Sequence, residues 1–190
     1  MDLETYALVT LDNAKDFLSI TSSSKDALLT MLINQSTDFI ETYCQRRFAN
    51  TIYTQEEYDG TKSKILQLNQ YPVISFTLLE WNSATDNTDS WEEIDADDYW
   101  IDEDEGHLTK TTLFVRGKQN YRATYEAGYA SIPHDLQFAC LSLVSEILNR
   151  RKASGISSES LGDHSVTFTG ALMKNKTIET ILANYRSIYI

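Results

Sequence analysis

Carboxylates are the side chains with the most obvious chemical potential in this sequence. Between residues 86 and 105 stand Asp86, Asp89, Glu92, Glu93, Asp95, Asp97, Asp98, Asp102, Glu103, Asp104 and Glu105, with no Lys or Arg among them. Acids at this density could bind calcium, but the twelve-residue loop pattern fails. Counted from Asp102, the fifth position is Gly106 and the twelfth is Leu113, and neither supplies a carboxylate. They could form the acid pair of a glycoside hydrolase. Such a pair needs an environment that separates its two pKa values, and acids set among turn residues read instead as a solvated face. They could, third, form a surface that turns polyanions away. Asp95, Asp97, Asp98, Asp102, Glu103, Asp104 and Glu105 are the candidates for that exposed acidic surface.

Other reactive types are sparse. Cys44 and Cys140 fall on apolar helical stripes with no CxxC spacing, so they read as buried thiols. His107, His134 and His164 are scattered, and no metal centre and no cofactor is expected. The sequence holds no GxSxG elbow, Walker loop, GxGxxG or HExxH. Trp81, Trp91, Tyr99 and Trp100 could form a stacking platform for a carbohydrate or a protein, although aromatic residues in strands more often fill a core. A binding module of this kind, or a carboxylate-dependent hydrolase, is the alternative to a purely structural role.

The elements that must position these residues emerge from periodicity. The chain has 190 residues, 42% hydrophobic and 11% aromatic, with a formal net charge of -12, enough to bury one sizeable core or a core with a satellite. No apolar run approaches the roughly 20 residues that cross a bilayer, and the start MDLETYALVT lacks the pattern of a signal peptide, so no membrane contact is expected. Thr10 can cap a short helix over 11–19 whose face carries Leu11, Ala14, Phe17 and Leu18. Ser23 and Asp26 form a capping-box-like start to a longer stripe of Leu28, Leu29, Leu32, Ile33, Ser36, Phe39, Ile40, Tyr43 and Cys44, closed by Arg46 and Arg47 where positive charge suits the helix dipole. From residue 51 the period shortens. TIYTQ, KILQL, VISFTLLEW, DYWI, TLFV and YRATY read as strands, separated by turns at Asp59-Gly60, Asn69 to Pro72, Asn82 to Ser90, Glu105-Gly106 and Arg116-Gly117. Gly128 ends the last strand and Pro133 opens a second long helix carrying Leu136, Ala139, Cys140, Leu143, Val144, Ile147 and Leu148. A polar connection, KASGISSES, leads past a short extended SVTFT piece to a helical stripe over 176–189.

The expected class is α+β: a helical bundle of two long antiparallel helices, with short N-terminal and C-terminal helices, and an inserted small antiparallel β-sheet or barrel. Residues 1–50 and 125–152 form the helical core, with Leu28, Leu32, Phe39, Ile40, Tyr43, Leu136, Cys140, Leu143 and Ile147 inside it. Residues 51–124 form the inserted acidic β-rich subdomain, and residues 153–190 a flexible linker with a terminal helix. The stripe of that last helix must bury itself either on its own chain or on a partner.

The order of several short motifs resembles the phage head-tail connector, or adaptor, family of head completion proteins. They are Val9-Thr10-Leu11 with Lys15 and Leu18; Asp26-Ala27-Leu28-Leu29; Ile40-Glu41 with Arg46-Arg47-Phe48; Tyr125, Ala127, Gly128 and Tyr129; Ile132-Pro133; Asn149-Arg150; the SLGDHSV stretch at 160–166; and Tyr185-Arg186. The likeness covers both ends of the chain and leaves residues 80–110 largely unmatched. It implies a structural virion protein rather than an enzyme, made in the host cytoplasm and placed at the neck, between head and tail. There it would form a homo-oligomeric ring, commonly dodecameric, seated on the portal protein and receiving a stopper or tail-completion protein, with double-stranded DNA passing through without specific binding. Leu172, Ile178, Ile181, Leu182, Tyr185, Arg186, Ile188 and Tyr189 would then dock on the portal, and a chain lacking residues 170–190 would fold but fail to join it. The acidic surface would line the channel.

Overall fold

The protein is described by a computed structural model covering residues 2–83, 90–156 and 175–187, with side chains described only as far as Arg151 in the third helix. The SVTFT piece, the SLGDHSV stretch, Asp86, Asp89, Leu172, Ile188 and Tyr189 lie outside the described residues. The chain is α+β, with helices and two small antiparallel sheets, and divides into two compact units: Met1–Phe48 with Ser131–Ile190, and Ala49–Ala130.

In the first unit, Thr10 caps α1 (Leu11–Phe17), its Oγ1 accepting the Asn13 N–H at 3.1 Å. The helix stops two residues short of 19, at a turn that sets Ser19 at φ 54°. The expected capping box does not form. Ser22, rather than Ser23, accepts a backbone N–H, from Ser24, and starts a 3₁₀ turn over Ser23–Lys25. Helix α2 (Asp26–Cys44) then continues without a side-chain cap, and the Asp26 carboxylate is free to pair with Lys15 at 2.9 Å. Of the expected core residues, Leu32 and Ile40 are buried, whereas Leu28, Phe39 and Tyr43 flank the stripe and are half-buried. Buried polar residues widen the stripe. Asn34 accepts the Glu4 N–H and donates to the Asp2 carbonyl, and Thr37 accepts the Leu8 N–H, so the N-terminal segment lies along α2 with its backbone satisfied.

Helix α3 (His134–Ile156) begins where the Pro133 carbonyl accepts the Gln137 N–H, a position that needs no N–H from proline. Leu136, Ala139, Cys140, Leu143, Val144, Ile147 and Leu148 are all buried along it, and it packs against α2. The helix runs on to Ile156, so residues 153–156 are helical rather than linker. Asn175 caps α4 (Lys176–Ala183), which contacts both α2 and α3.

The second unit is built from β1 (Thr51–Gly60), β2 (Ile65–Gln67), β3 (Val73–Asn82), β4 (Trp91–Glu93), β5 (Tyr99–Asp102), β6 (His107–Lys110) and β7 (Gly117–Ala127). One sheet has the order β1-β7-β3-β4 and the other β2-β6-β5, and every ladder within them is antiparallel. Strand β7 shows the period-2 pattern plainly: Tyr121, Ala123, Tyr125 and Ala127 all point inward. That row explains why residues 125–130 belong to this unit and not to the helical core expected over 125–152. Leu66 and Leu108 from the second sheet join the same apolar cluster. Register shifts interrupt β1 between Tyr53 and Glu56 and again between Tyr58 and Gly60.

The TLFV run is not a strand of either sheet. Phe114 is fully buried while Leu113 and Val115 are about half exposed, so a single inward aromatic, not an alternating face, holds this segment. Gly60 is required by contact: a Cβ there would sit 1.8 Å from the Val115 carbonyl oxygen. Gly128, at φ 115°, closes the unit, and a Cβ would meet the Ala49 carbonyl oxygen at 2.6 Å.

Ile178 and Leu182 of α4 are completely buried in the helical unit. Removing the terminal helix would therefore uncover these two side chains' share of the core, so a chain lacking residues 170–190 would fold only at a cost in stability. Leu182→Ala is expected to cost about 2 to 4 kcal/mol in equilibrium urea unfolding. A cost below about 0.5 kcal/mol would mean that α4 does not hold this position.

Candidate functional site

The residues expected to dock on a partner occupy different depths. Ile178 and Leu182 are buried, Ile181 and Tyr185 are half-buried, and Arg186 is exposed. The segment from Tyr185 to Ser187, just past α4, is tied to the end of α2. The Tyr185 hydroxyl donates to the Asp135 carboxylate at 2.7 Å, and its ring meets Phe48 edge-on at 5.8 Å. The Ser187 N–H donates to the Cys44 carbonyl at 2.9 Å, and the Arg186 guanidinium lies over the Tyr43 ring. Among the described residues of this segment, then, the surface left for a partner is polar, with Arg186 at its head.

The expected partner of Arg46 and Arg47 is the helix dipole, but the helix ends before them. Gln45 takes a left-handed conformation at φ 57° and turns the chain back. Arg46 is buried with its guanidinium over Phe48, and Arg47 pairs with Glu41 at 3.4 Å while covering Tyr6. Glu41 also accepts the Phe48 N–H at 3.2 Å. Burial raises the Glu41 carboxyl above its ordinary value, partly offset by the Phe48 N–H and Arg47. The motif Ile40-Glu41…Arg46-Arg47-Phe48 is thus a folded corner that fixes the exit from α2. Its signal in the sequence is the Glu spaced seven before the Phe, which periodicity alone does not decode.

The acidic candidates Asp95, Asp97, Asp98, Asp102, Glu103, Asp104 and Glu105 are all exposed. Asp95 accepts the Asp97 N–H and so caps the 3₁₀ turn over Ala96–Asp98, and Asp102 accepts the Glu105 N–H in the β5–β6 turn. Glu105 lies 3.1 Å from His107. These are turn-shaping acids in water, without the shielding a hydrolytic pair requires. A shallow depression beside them, lined by Trp100, Ile101, Asp102, Glu103, Asp104, His107 and Thr109, is open to solvent. No group of three or more His, Cys, Asp and Glu among the described residues could hold a metal ion.

The aromatic platform does not assemble. Trp81 and Tyr99 pack against the apolar cluster, Trp91 lies beneath the Arg122 guanidinium at 4.3 Å, and Trp100 alone is exposed. Arg122 is itself held by a two-pronged bond to Glu80, both contacts at 2.6 Å. A second buried set leaves no mark in the sequence because its members are far apart in the chain. Tyr58 and Tyr125 both donate to Glu56, their hydroxyls are 3.0 Å apart, and Asn69 donates to the same carboxylate. Burial pushes both phenols far above their usual range, so they stay protonated and act as fixed donors.

A family model described as head completion protein matches residues 7–188. The chain belongs to the head completion protein family. No curated protein matches it. Among solved structures this head completion protein is similar to a chain from the neck of an empty gene transfer agent particle computed with C6 symmetry, at 14% identity and a TM-score of 0.57, covering 100% of this chain and 96% of that one. It is also similar to a chain from the virion of a native gene transfer agent particle, at 14% identity and a TM-score of 0.55, covering 96% of this chain and 91% of that one. At these identities the likeness establishes a shared fold, and the family sets the role in particle completion, outside enzymology. No helix among the described residues is long and apolar enough to cross a membrane.

These environments lead to two expected outcomes. Burial pushes the thiols of Cys44 and Cys140 up to about 12, so neither should react with a thiol reagent at pH 8 in the folded protein, and both should react in denaturant. Rapid labelling of the native chain would contradict their burial. For Glu41 the folded-state pKa is raised, so its stabilising contribution is complete below the ordinary value of 4.5 and is lost as pH rises through the elevated one. Stability measured by urea unfolding should therefore decline less steeply with rising pH in Glu41→Gln than in the parent chain. Equal slopes would remove Glu41 as the cause.

Proposed function

We propose that this head completion protein is a ring-forming subunit at the neck of a tailed particle, placed between the portal protein and a stopper or tail-completion protein. The match of the family to residues 7–188 carries the reading. The fold shared with chains from gene transfer agent particles, over nearly the whole of both chains, supports it. In this reading the two long helices form an antiparallel pair that gives each subunit a rigid frame, with α1 and α4 laid against it. A closed ring needs two different complementary patches on every copy, and the twelvefold order expected for the family is one such arrangement.

DNA passes through the ring without specific binding. The exposed acids from Asp95 to Glu105 suit that task, because a surface rich in carboxylates has no affinity for phosphate. Docking on the portal falls to the segment around and beyond α4, with Arg186 and the exposed edges of Ile181 and Tyr185 as its described part, and Leu172, Ile188 and Tyr189 as further candidates. Ile178 and Leu182 support this surface from beneath rather than meeting the partner.

Electron microscopy of the full chain mixed with purified portal is the decisive measurement. Rings of the added protein stacked coaxially on the portal are expected, and Arg186→Glu should reduce their occupancy while leaving the circular dichroism spectrum unchanged. Portals that remain bare across a range of protein concentrations would refute the placement.

A further inference from the structure

We propose that neighbouring copies of this chain meet head to tail through the two ends of the β2-β6-β5 sheet, the acidic hairpin of one copy seated on the basic, apolar end of the next. This rests on the ring reading and names a contact within it, one that assigns Asp102, Glu103 and Asp104 to the seam between copies and leaves Asp95, Asp97 and Asp98 to face the channel. The β5–β6 hairpin ends in a turn where Asp102, Glu103 and Asp104 are all exposed. The bond from the Glu105 N–H to Asp102 holds that turn in shape. Trp100, 56% exposed, stands on the outward face of the same hairpin, opposite Thr109 in register.

The other end of the sheet has the complementary character. Lys62 donates its N–H to the Phe114 carbonyl, Phe114 to Ser63 and Lys110 to Lys64, so the segment through Leu113 and Val115 is fastened beside the start of β2. Because Phe114 turns inward, its neighbours Leu113 and Val115 turn outward, at 52% and 51% exposure, near Ile65 at 46%. Around these apolar side chains stand Lys62, Lys64 and Arg116, all exposed and without an ion-pair partner among the described residues. Asp95, Asp97 and Asp98 stand across the sheet at the β5 corner of this end, with Asp98 facing Lys110, so the basic, apolar patch is the β2 corner.

Charge complementarity identifies the occupant. The acidic tip and the basic β2 corner each repel their own kind and attract the other, which disfavours a symmetric pair and favours a head-to-tail chain of copies. Strand β6 spans only four residues, roughly 10 Å from end to end, and its ladders to β2 and β5 hold the two ends apart within one copy. A second copy carries both complements at once, whereas an unrelated acidic or basic partner would satisfy only one end.

The test is a charge exchange in the full chain, followed by sedimentation velocity and by electron microscopy on purified portal. One variant combines Asp102→Lys with Asp104→Lys, and the other combines Lys62→Glu, Lys64→Glu and Arg116→Glu. Each alone is expected to associate at least about tenfold more weakly than the parent chain. An equimolar mixture should recover assembly, because every tip then finds an opposite end. Association of the parent chain should also weaken with added salt, since both patches are exposed. Variants that retain their circular dichroism spectra but assemble like the parent, or a mixture that fails to recover, would overturn this contact and leave the ring reading standing. A parent chain that forms no ring even on portal would remove the ring reading, and this contact with it.

Discussion

Helix α2 is the element on which the helical unit depends. The N-terminal segment, α1, α3 and α4 all lie against it, and it satisfies them by two different means. Its apolar stripe, with Leu29, Ile33, Ile40 and Cys44 fully buried, excludes water from the helix contacts. Its buried Asn34 and Thr37 take up backbone groups that the N-terminal segment would otherwise leave unpaired. The end of the helix is as firmly defined, because Gln45, Glu41, Arg47 and Phe48 together turn the chain, and Phe48 in turn receives Tyr185. A substitution within α2 is therefore felt at both termini of the chain.

Much of this is legible in the sequence, for a definite reason. A stripe at three-and-four spacing reports its own burial, and Leu136 to Leu148 lie on the buried side of α3 as the period requires. Strand identity is legible where alternation is long, as in β7, and illegible where it is short. TLFV has the composition of a strand but is placed by one buried ring, and the three-residue β4 offers no pattern at all. The groups that sequence reasoning misses share another cause. Glu56 with Tyr58 and Tyr125, and Glu80 with Arg122 and Trp91, are joined across strands, so no local spacing marks them. The aromatic platform fails for the complementary reason. Tyr99 and Trp100 are adjacent in a strand and so must face opposite ways.

The division of labour within the chain fits its family. The helical unit is held by apolar burial and a few satisfied polar groups, whereas the β-unit places most of its acids and cations at the surface, with Asp95 and Asp102 shaping the turns they stand on. A protein whose role is completion of a particle has no need of an enclosed reactive centre, and its chemistry lies in which surfaces attract and which repel. The exposed features of this chain, rather than an enclosed pocket, are therefore where the proposed contacts are placed.

The interruptions in β1 have a consequence for how many copies can gather. This strand is the outer member of its sheet, ten residues long with Ile52 68% exposed, and a flat border of that length would recruit strands from other chains without limit. The bulge at Gln55, held at φ 53° with its N–H turned to Thr124, breaks the row of outward donors and acceptors partway along. Such an interruption works against growth by backbone zippering into fibres and favours contacts made through side chains, which set a fixed geometry between copies.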